Sequence, residues 1–328
     1  MIFTKMHGCG NDYIYFDCTR KDFPGGAEGA RLAAIKLSDR HFGIGGDGII
    51  LIKRGKSADF EMEMYNADGS RSQMCGNGIR CVAKYVFDAG YTNSLPDKRD
   101  FTIESMGAVK HIQILSGNSG DKVCRARVDM GKPILEAAKI PVNVGMCASG
   151  ADADLPDKAR GADAKCEKAS HGQIAPCDSV IMRPLTVNGN EYKITCVSMG
   201  NPHAVVFLDK KQAEFPVCEI GPYFENDAFF PERTNTEFAY VENRTTIWMR
   251  VWERGTGETL ACGTGTCATV VAAILNGFVD AGAKVTVHLL GGDLEIEWSG
   301  NESDSVFMTG PAETAFVGEV DLESDNLK

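Results

Sequence analysis

Along most of this chain, apolar and polar residues alternate in short runs. Phe60-Glu61-Met62-Glu63-Met64 is one such run, with the period of two expected of a strand with one face buried. Strand-like stretches lie near 2–4, 13–17, 48–53, 59–65, 101–104, 108–115, 122–129, 179–186, 191–197, 203–208, 236–241, 246–252, 284–289, 293–298 and 305–309. Helical patterns are fewer: 27–38, 77–89, 210–214 and 264–276. Many strands with one strong helix in each half of the chain predict an α+β fold, a curled sheet wrapped around a helix. The stretch 144–176 is rich in Ala, Gly, Asp and Lys and poor in large apolar residues. It reads as a surface insertion.

A repeat organises this pattern. Cys75-Gly76-Asn77-Gly78-Ile79-Arg80-Cys81 and Cys262-Gly263-Thr264-Gly265-Thr266-Cys267 each open an Ala/Val-rich helical run that ends near a glycine, Gly90 or Gly277. Such a glycine suits a left-handed cap. Asn66 and Glu253 each stand nine positions before their cysteine, each after an aromatic residue. Gly48 and Asn235 each stand 27 before, and each opens an apolar strand. Gly10-Asn11 and Gly200-Asn201 each precede a strand further upstream. The period is too long for a solenoid, so the reading is two copies of one domain. The expected division is 1–121 plus 313–328 for the first half and 122–312 for the second, with the last strand returning to the first.

Length and composition agree without adding chemistry. The chain has 328 residues, 43% hydrophobic and 24% charged, with net charge −11. About two domains are expected, and the acidic balance argues against a nucleic-acid backbone as partner. No apolar run is long enough to span a membrane as a helix. The first residues lack a signal-peptide pattern. Twelve cysteines in a chain of this size indicate free thiols in a reducing, cytoplasmic setting rather than a disulfide framework.

The chemistry lies in the repeat. A cysteine just before a helix start faces unpaired N–H groups and the positive end of the helix dipole, which favour a thiolate. The same N–H groups can hold a carboxylate. Two such halves facing each other would place two thiols on opposite sides of one ligand. One could remove a proton while the other returns one to the opposite face, which is inversion at carbon. His203 and Glu253 are the candidate activating partners, and Arg254 beside the Gly255-Thr256-Gly257 turn is a candidate ligand contact. Two other readings stay open at this level. One is a zinc site of Cys75, Cys81, Cys262 and Cys267, although the spacing departs from the usual knuckle. The other is a redox pair of Cys75 and Cys262.

These segments resemble the diaminopimelate epimerase family. The resemblance rests on His7-Gly8-Cys9-Gly10-Asn11-Asp12, Tyr65-Asn66-Ala67-Asp68-Gly69-Ser70, Met74-Cys75-Gly76-Asn77-Gly78, Gly200-Asn201-Pro202-His203, Arg233-Thr234-Asn235 and Trp252-Glu253-Arg254-Gly255-Thr256-Gly257, which runs on to Ala261-Cys262-Gly263-Thr264-Gly265. It implies two pseudo-symmetric domains, each a barrel-like, mostly antiparallel sheet around a central helix. It implies an epimerase that needs no cofactor and no metal, acts on diaminopimelate, and is compatible with a homodimer. By motif match Cys75 and Cys262 are the acid/base thiols, with His203 and Glu253 as their modulators. The substrate contacts would be Asn11, Asn66, Gly76, Asn77, Asn201, Asn235, Glu253, Arg254, Gly263 and Thr264. Many family members carry Gln where Gly48 stands, and often Ser at Thr264. Proline and hydroxyproline racemases are the runner-up, but that family usually carries His at the position of Asn77.

Overall fold

The computed structural model describes residues 1–72, 75–144, 179–211 and 214–322. Nearly all of the expected insertion therefore lies outside the described residues. One continuous 17-stranded sheet curls into two barrel-like halves built on the same plan. The first uses β1 (Ile2–Gly8), β2 (Asn11–Asp17), β3 (Gly48–Arg54), β4 (Phe60–Asn66), the short β5 (Arg71–Ser72), β6 (Asp100–Ser105), β7 (Ala108–Ser116) and β8 (Val123–Gly131). The second uses β9 (Arg183–Val187), β10 (Asn190–Ser198), β11 (Pro202–Phe207), β12 (Asn235–Asn243), β13 (Thr246–Glu253), β14 (Gly257–Thr259), β15 (Lys284–Leu289) and β16 (Gly292–Glu297). A final long strand, β17 (Val306–Glu319), serves both.

Pairing repeats element by element. β1–β2 and β10–β11 are antiparallel, β2–β3 and β11–β12 parallel, and β3–β4 and β12–β13 antiparallel. A second parallel step, β4–β6 or β13–β15, follows in each half. The register matches as well: Ile14 faces Ile49, which sets Tyr13 opposite Gly48, and His203 faces Asn235. Most pairs are thus antiparallel, with matched parallel pairs in each copy. Closing a sheet on itself removes the exposed edges that invite aggregation.

β17 explains how two barrels come from one chain. Its first part, Val306–Thr309, pairs with Arg127–Gly131 of β8, and Phe307–Thr309 also pair with β16. Its last part, Glu313–Glu319, pairs with β1 and closes the first barrel. This strand begins at Val306, upstream of the expected Glu313. β8 also pairs with β7, so the sheet continues past residue 121 without a break. A bridge from Ile134 to Ser198 carries the chain beyond β8 onto the second barrel.

Each barrel is filled by one helix, α2 (Gly76–Asp88) in the first and α4 (Gly263–Leu275) in the second. From Gly265 to Ala273, α4 is buried on every side; a helix apolar all round belongs in a core. An outer helix covers each barrel: α1 (Gly26–Ser38) lies against β3 and α3 (Val217–Glu225) against β13. The helix near 27–38 is as expected. The one expected at 210–214 falls partly outside the described residues. α3 has no counterpart among the expected helices, because Gly221 and Pro222 read as breakers. The structure turns Gly221 to use: a Cβ there would sit 2.4 Å from the Trp252 ring, so only glycine lets the helix lie on the indole.

The fold predicts the weight of the central helices. Ile79 is fully buried within α2. Ile79→Ala should lower unfolding free energy by about 2–5 kcal/mol, read by denaturant titration. A change under about 1 kcal/mol would show that α2 is not core.

Candidate active site

The two central helices begin at the same place. A Cβ on Gly76 would lie 3.6 Å from the Cα of Gly263, and one on Gly263 3.4 Å from the Cα of Gly76. The tightest neighbour of a Cβ at either glycine would be Met308, at 3.0 and 3.2 Å. Each helix is N-capped by its cysteine: Gly78 N–H donates to the Cys75 sulfur at 3.2 Å, and Gly265 N–H to the Cys262 sulfur at 3.4 Å. The two thiols named from the repeat therefore stand at two facing helix ends, Cys262 only 5% exposed and Cys75 partly buried.

Cross-half contacts fix this geometry. Asn77 Nδ2 donates to the Ala261 carbonyl at 3.1 Å. Arg80, fully buried, donates to the Gly76 and Pro311 carbonyls and to Asn77 Oδ1. Its charge has no carboxylate partner among the described residues and lies near several thiols; burial raises the Cys75 thiol, and Arg80 is among the groups that pull against it. The sequence pattern gives no hint of this role, because an arginine one turn into a helix looks like a solvated side chain.

The candidate modulators are Glu253 and His203. The Glu253 carboxyl is raised, chiefly by burial, against the pull of Thr259, Cys262 and His203. Its charge is felt by both thiols, which places it at the junction. His203 is fully buried; its Nδ1 lies 2.7 Å from Glu237 Oε1 and its Nε2 3.1 Å from Asn201 Oδ1. Glu237 is not among the residues the motifs pointed to.

The asparagines divide into two kinds. Asn11 accepts from the Cys75 thiol at 3.1 Å, while its Nδ2 donates to Asp47. Asn201 Nδ2 donates to Thr264 Oγ1, which lies 3.5 Å from the Cys262 sulfur. These two touch the thiol machinery. Asn77 and Asn235 instead have their side chains engaged at both ends in the scaffold: Asn235 donates to the Pro202 carbonyl and accepts from Arg254 N–H. Asn66 donates to Ser70 at the end of β4. Arg254 is partly exposed and donates to the Glu232 carbonyl, with no carboxylate in ion-pair reach among the described residues. At Gly48 a Cβ would meet the Tyr65 carbonyl at 2.1 Å, so this backbone has no room for a side chain. Among the described residues no cluster of His, Cys, Asp or Glu could hold a metal. Cys81 and Cys267 are fully buried core thiols.

A family model described as diaminopimelate epimerase matches residues 3–136 and 195–315. The chain belongs to the diaminopimelate epimerase family. Diaminopimelate epimerases from Acetivibrio thermocellus and Agathobacter rectalis are each 47% identical to it, covering 98% of this chain and 99% and 100% of theirs. One from Methanococcus maripaludis is 46% identical over 98% of this chain and 100% of its own. More distant solved structures share the epimerase fold alone. They include a phenazine biosynthesis protein of the PhzF family from Bacillus anthracis (15% identical, TM-score 0.61, 98% and 99% of the two chains covered). A probable proline racemase from Agrobacterium radiobacter is 12% identical at TM-score 0.63, covering 98% of this chain and 93% of its own. No helix among the described residues is long and apolar enough to cross a membrane.

Burial decides the resting state of the epimerase thiols. It raises both above the ordinary thiol range, Cys262 the more strongly because Glu253 and Glu237 add to it. The N–H donors at each cap pull the other way but do not prevail. A raised thiol stays protonated at neutral pH, and its thiolate fraction grows only as pH climbs. Alkylation of Cys75 and Cys262, mapped by peptide mass spectrometry, should therefore keep accelerating above about pH 9, where an unshifted thiol levels off. A plateau below about pH 8 would show thiols activated in the resting protein.

Proposed function

We propose that the chain interconverts LL- and meso-diaminopimelate by passing protons between substrate and two thiols, Cys75 and Cys262. The facing of the two cysteine-capped helix ends across Gly76 and Gly263 is the observation that carries this reading.

The chemistry follows from the groups present. The reacting carboxylate lies over the two helix N-termini, where N–H groups and both dipoles favour an anion. As one thiolate takes the α-proton, negative charge moves onto that carboxylate, and the same donors stabilise it more in the transition state than before. The opposite thiol gives its proton to the other face of the carbon and is left as the thiolate. Thiol and thiolate have exchanged places, so the reverse reaction starts from the mirror arrangement. Thiols raised by burial suit this proton transfer. A more basic thiolate is the stronger proton acceptor, and Glu253 between the two biases which carries the charge.

At the far end of the substrate, Arg254 binds the distal carboxylate and Glu253 the distal ammonium. Asn66 reads the distal stereocentre, with Asn77 and Asn235 contributing through the backbone they hold, because their side chains are already engaged. With Cys262 so little exposed, entry of a doubly charged substrate requires the halves to part. Homodimer assembly and a reducing, cytoplasmic setting accompany this reading, the first measured by sedimentation.

Purified protein, freed of pyridoxal phosphate and metals, should convert LL-diaminopimelate to the meso isomer on chiral chromatography. Cys75→Ala and Cys262→Ala should each reduce the rate by about 100-fold or more. Retention of activity by either variant would remove its thiol from the mechanism; conversion of proline and not diaminopimelate would favour the racemase reading.

A further inference from the structure

We propose that Glu237 is a positioning residue for epimerisation: through His203, Asn201 and Thr264 it turns a hydrogen-bond donor toward the Cys262 sulfur. This rests on the two-thiol reading above.

Four contacts form a continuous chain. Glu237 Oε1 lies 2.7 Å from His203 Nδ1, and His203 Nε2 lies 3.1 Å from Asn201 Oδ1. Asn201 Nδ2 lies 3.3 Å from Thr264 Oγ1, and that oxygen lies 3.5 Å from the Cys262 sulfur. An amide oxygen only accepts and an amide nitrogen only donates. With Asn201 so oriented, His203 must donate at Nε2. Its Nδ1 lies against Glu237 Oε1, so the carboxyl group fixes the ring in the orientation that aims Nε2 at Asn201. Thr264, already accepting from Asn201, has its own proton for the sulfur. Every link then points the same way, toward a thiolate at Cys262.

The other half shows what this arrangement is not for. Tyr13 and Ile50 occupy the positions matching His203 and Glu237, by the shared parallel register of β2–β3 and β11–β12. The matching helix glycines press on them equally: a Cβ on Gly78 would meet Ile50 Cδ1 at 2.8 Å, and one on Gly265 would meet Glu237 Oε1 at 2.4 Å. The barrel therefore closes with an isoleucine there, and the fold needs no carboxylate. Glu237 is nonetheless fully buried, with Oε2 lacking any hydrogen-bond partner among the described residues. Burying a charge this way is unfavourable, so the position answers to something other than packing. Asn11 shows the opposite orientation. Asp47 takes its Nδ2, and Oδ1 accepts from the Cys75 thiol. One thiol faces an acceptor and the other a donor. The charged and titratable groups facing Cys262 are Glu253 from β13, Glu237 from β12 and His203 from β11.

Glu237→Gln tests this without changing shape. It replaces the carboxyl group by an amide of the same shape and weakens the contact that fixes the His203 ring. Asn201 is then free to turn over, and Thr264 donates to Asn201 instead of the sulfur. Alkylation of Cys262 at pH 8 should slow by about tenfold, the loss of one hydrogen bond to a charged atom, while Cys75 in the same sample is unchanged. An unchanged Cys262 rate would overturn the proposal. Equal slowing of both thiols with a lowered melting temperature would show a structural role and overturn it too. A parent protein that fails to epimerise diaminopimelate would instead sink the underlying reading, since the alkylation readout stands without turnover.

Discussion

Two helix N-termini meet head to head at Gly76 and Gly263, and the rest of the structure is arranged around that meeting. Like ends of two helix dipoles repel. The repulsion falls when negative charge lies between them, as a thiolate or a carboxylate does. The fold holds the ends together by other means: Asn77 reaching across to Ala261, Arg80 binding the chain on both sides, and β17 running through both barrels. The junction is thus assembled in advance for an anion, and its donors need no reorganisation when charge develops on the substrate.

The duplication gives the site its two faces, but the two halves are not equal. Tyr13 and Ile50 bring no charge to the first half's thiol, which feels the shared Glu253 and Arg80. His203, Glu237 and Glu253 make the second half's polar and charged. A reaction that must hold one sulfur as thiol and the other as thiolate gains from such a difference, because two identical sites would leave the proton undirected. Burial acts on both thiols in the same direction and raises them. The neighbouring charges and local hydrogen bonds tell them apart.

Much of this is legible in the residues. Cys75 and Cys262 stand out because a thiol before Gly-x-Gly occurs twice in register, and Asn11, Asn201, Asn66 and Glu253 follow from the same spacing. The strands are visible as alternation, since each has one face inside a barrel. Other features are hidden, for physical reasons. The helix over Val217–Glu225 carries Gly221 and Pro222, which argue locally against a helix that only Trp252 packing explains. β17 is one strand shared by two barrels, and pattern alone does not say which sheet a strand joins. Arg80 and Glu237 are charged residues inside the core, where a helix or strand pattern records only an interruption. Glu237 does leave a trace, as one charge in the apolar run from Thr236 to Val241. The roles of Asn77 and Asn235 depend on partners far away in the chain, and spacing carries no record of those.

The central claim is that proton removal and return use different groups on opposite faces. It is tested most directly by the fate of solvent deuterium at low conversion of LL-diaminopimelate in D₂O. Two thiols acting on opposite faces predict one deuterium at the inverted carbon of the meso product and almost none in recovered substrate. A product that keeps the substrate's own α-hydrogen, or substrate and product labelled alike from the start, would mean that a single group serves both faces, and would contradict the account.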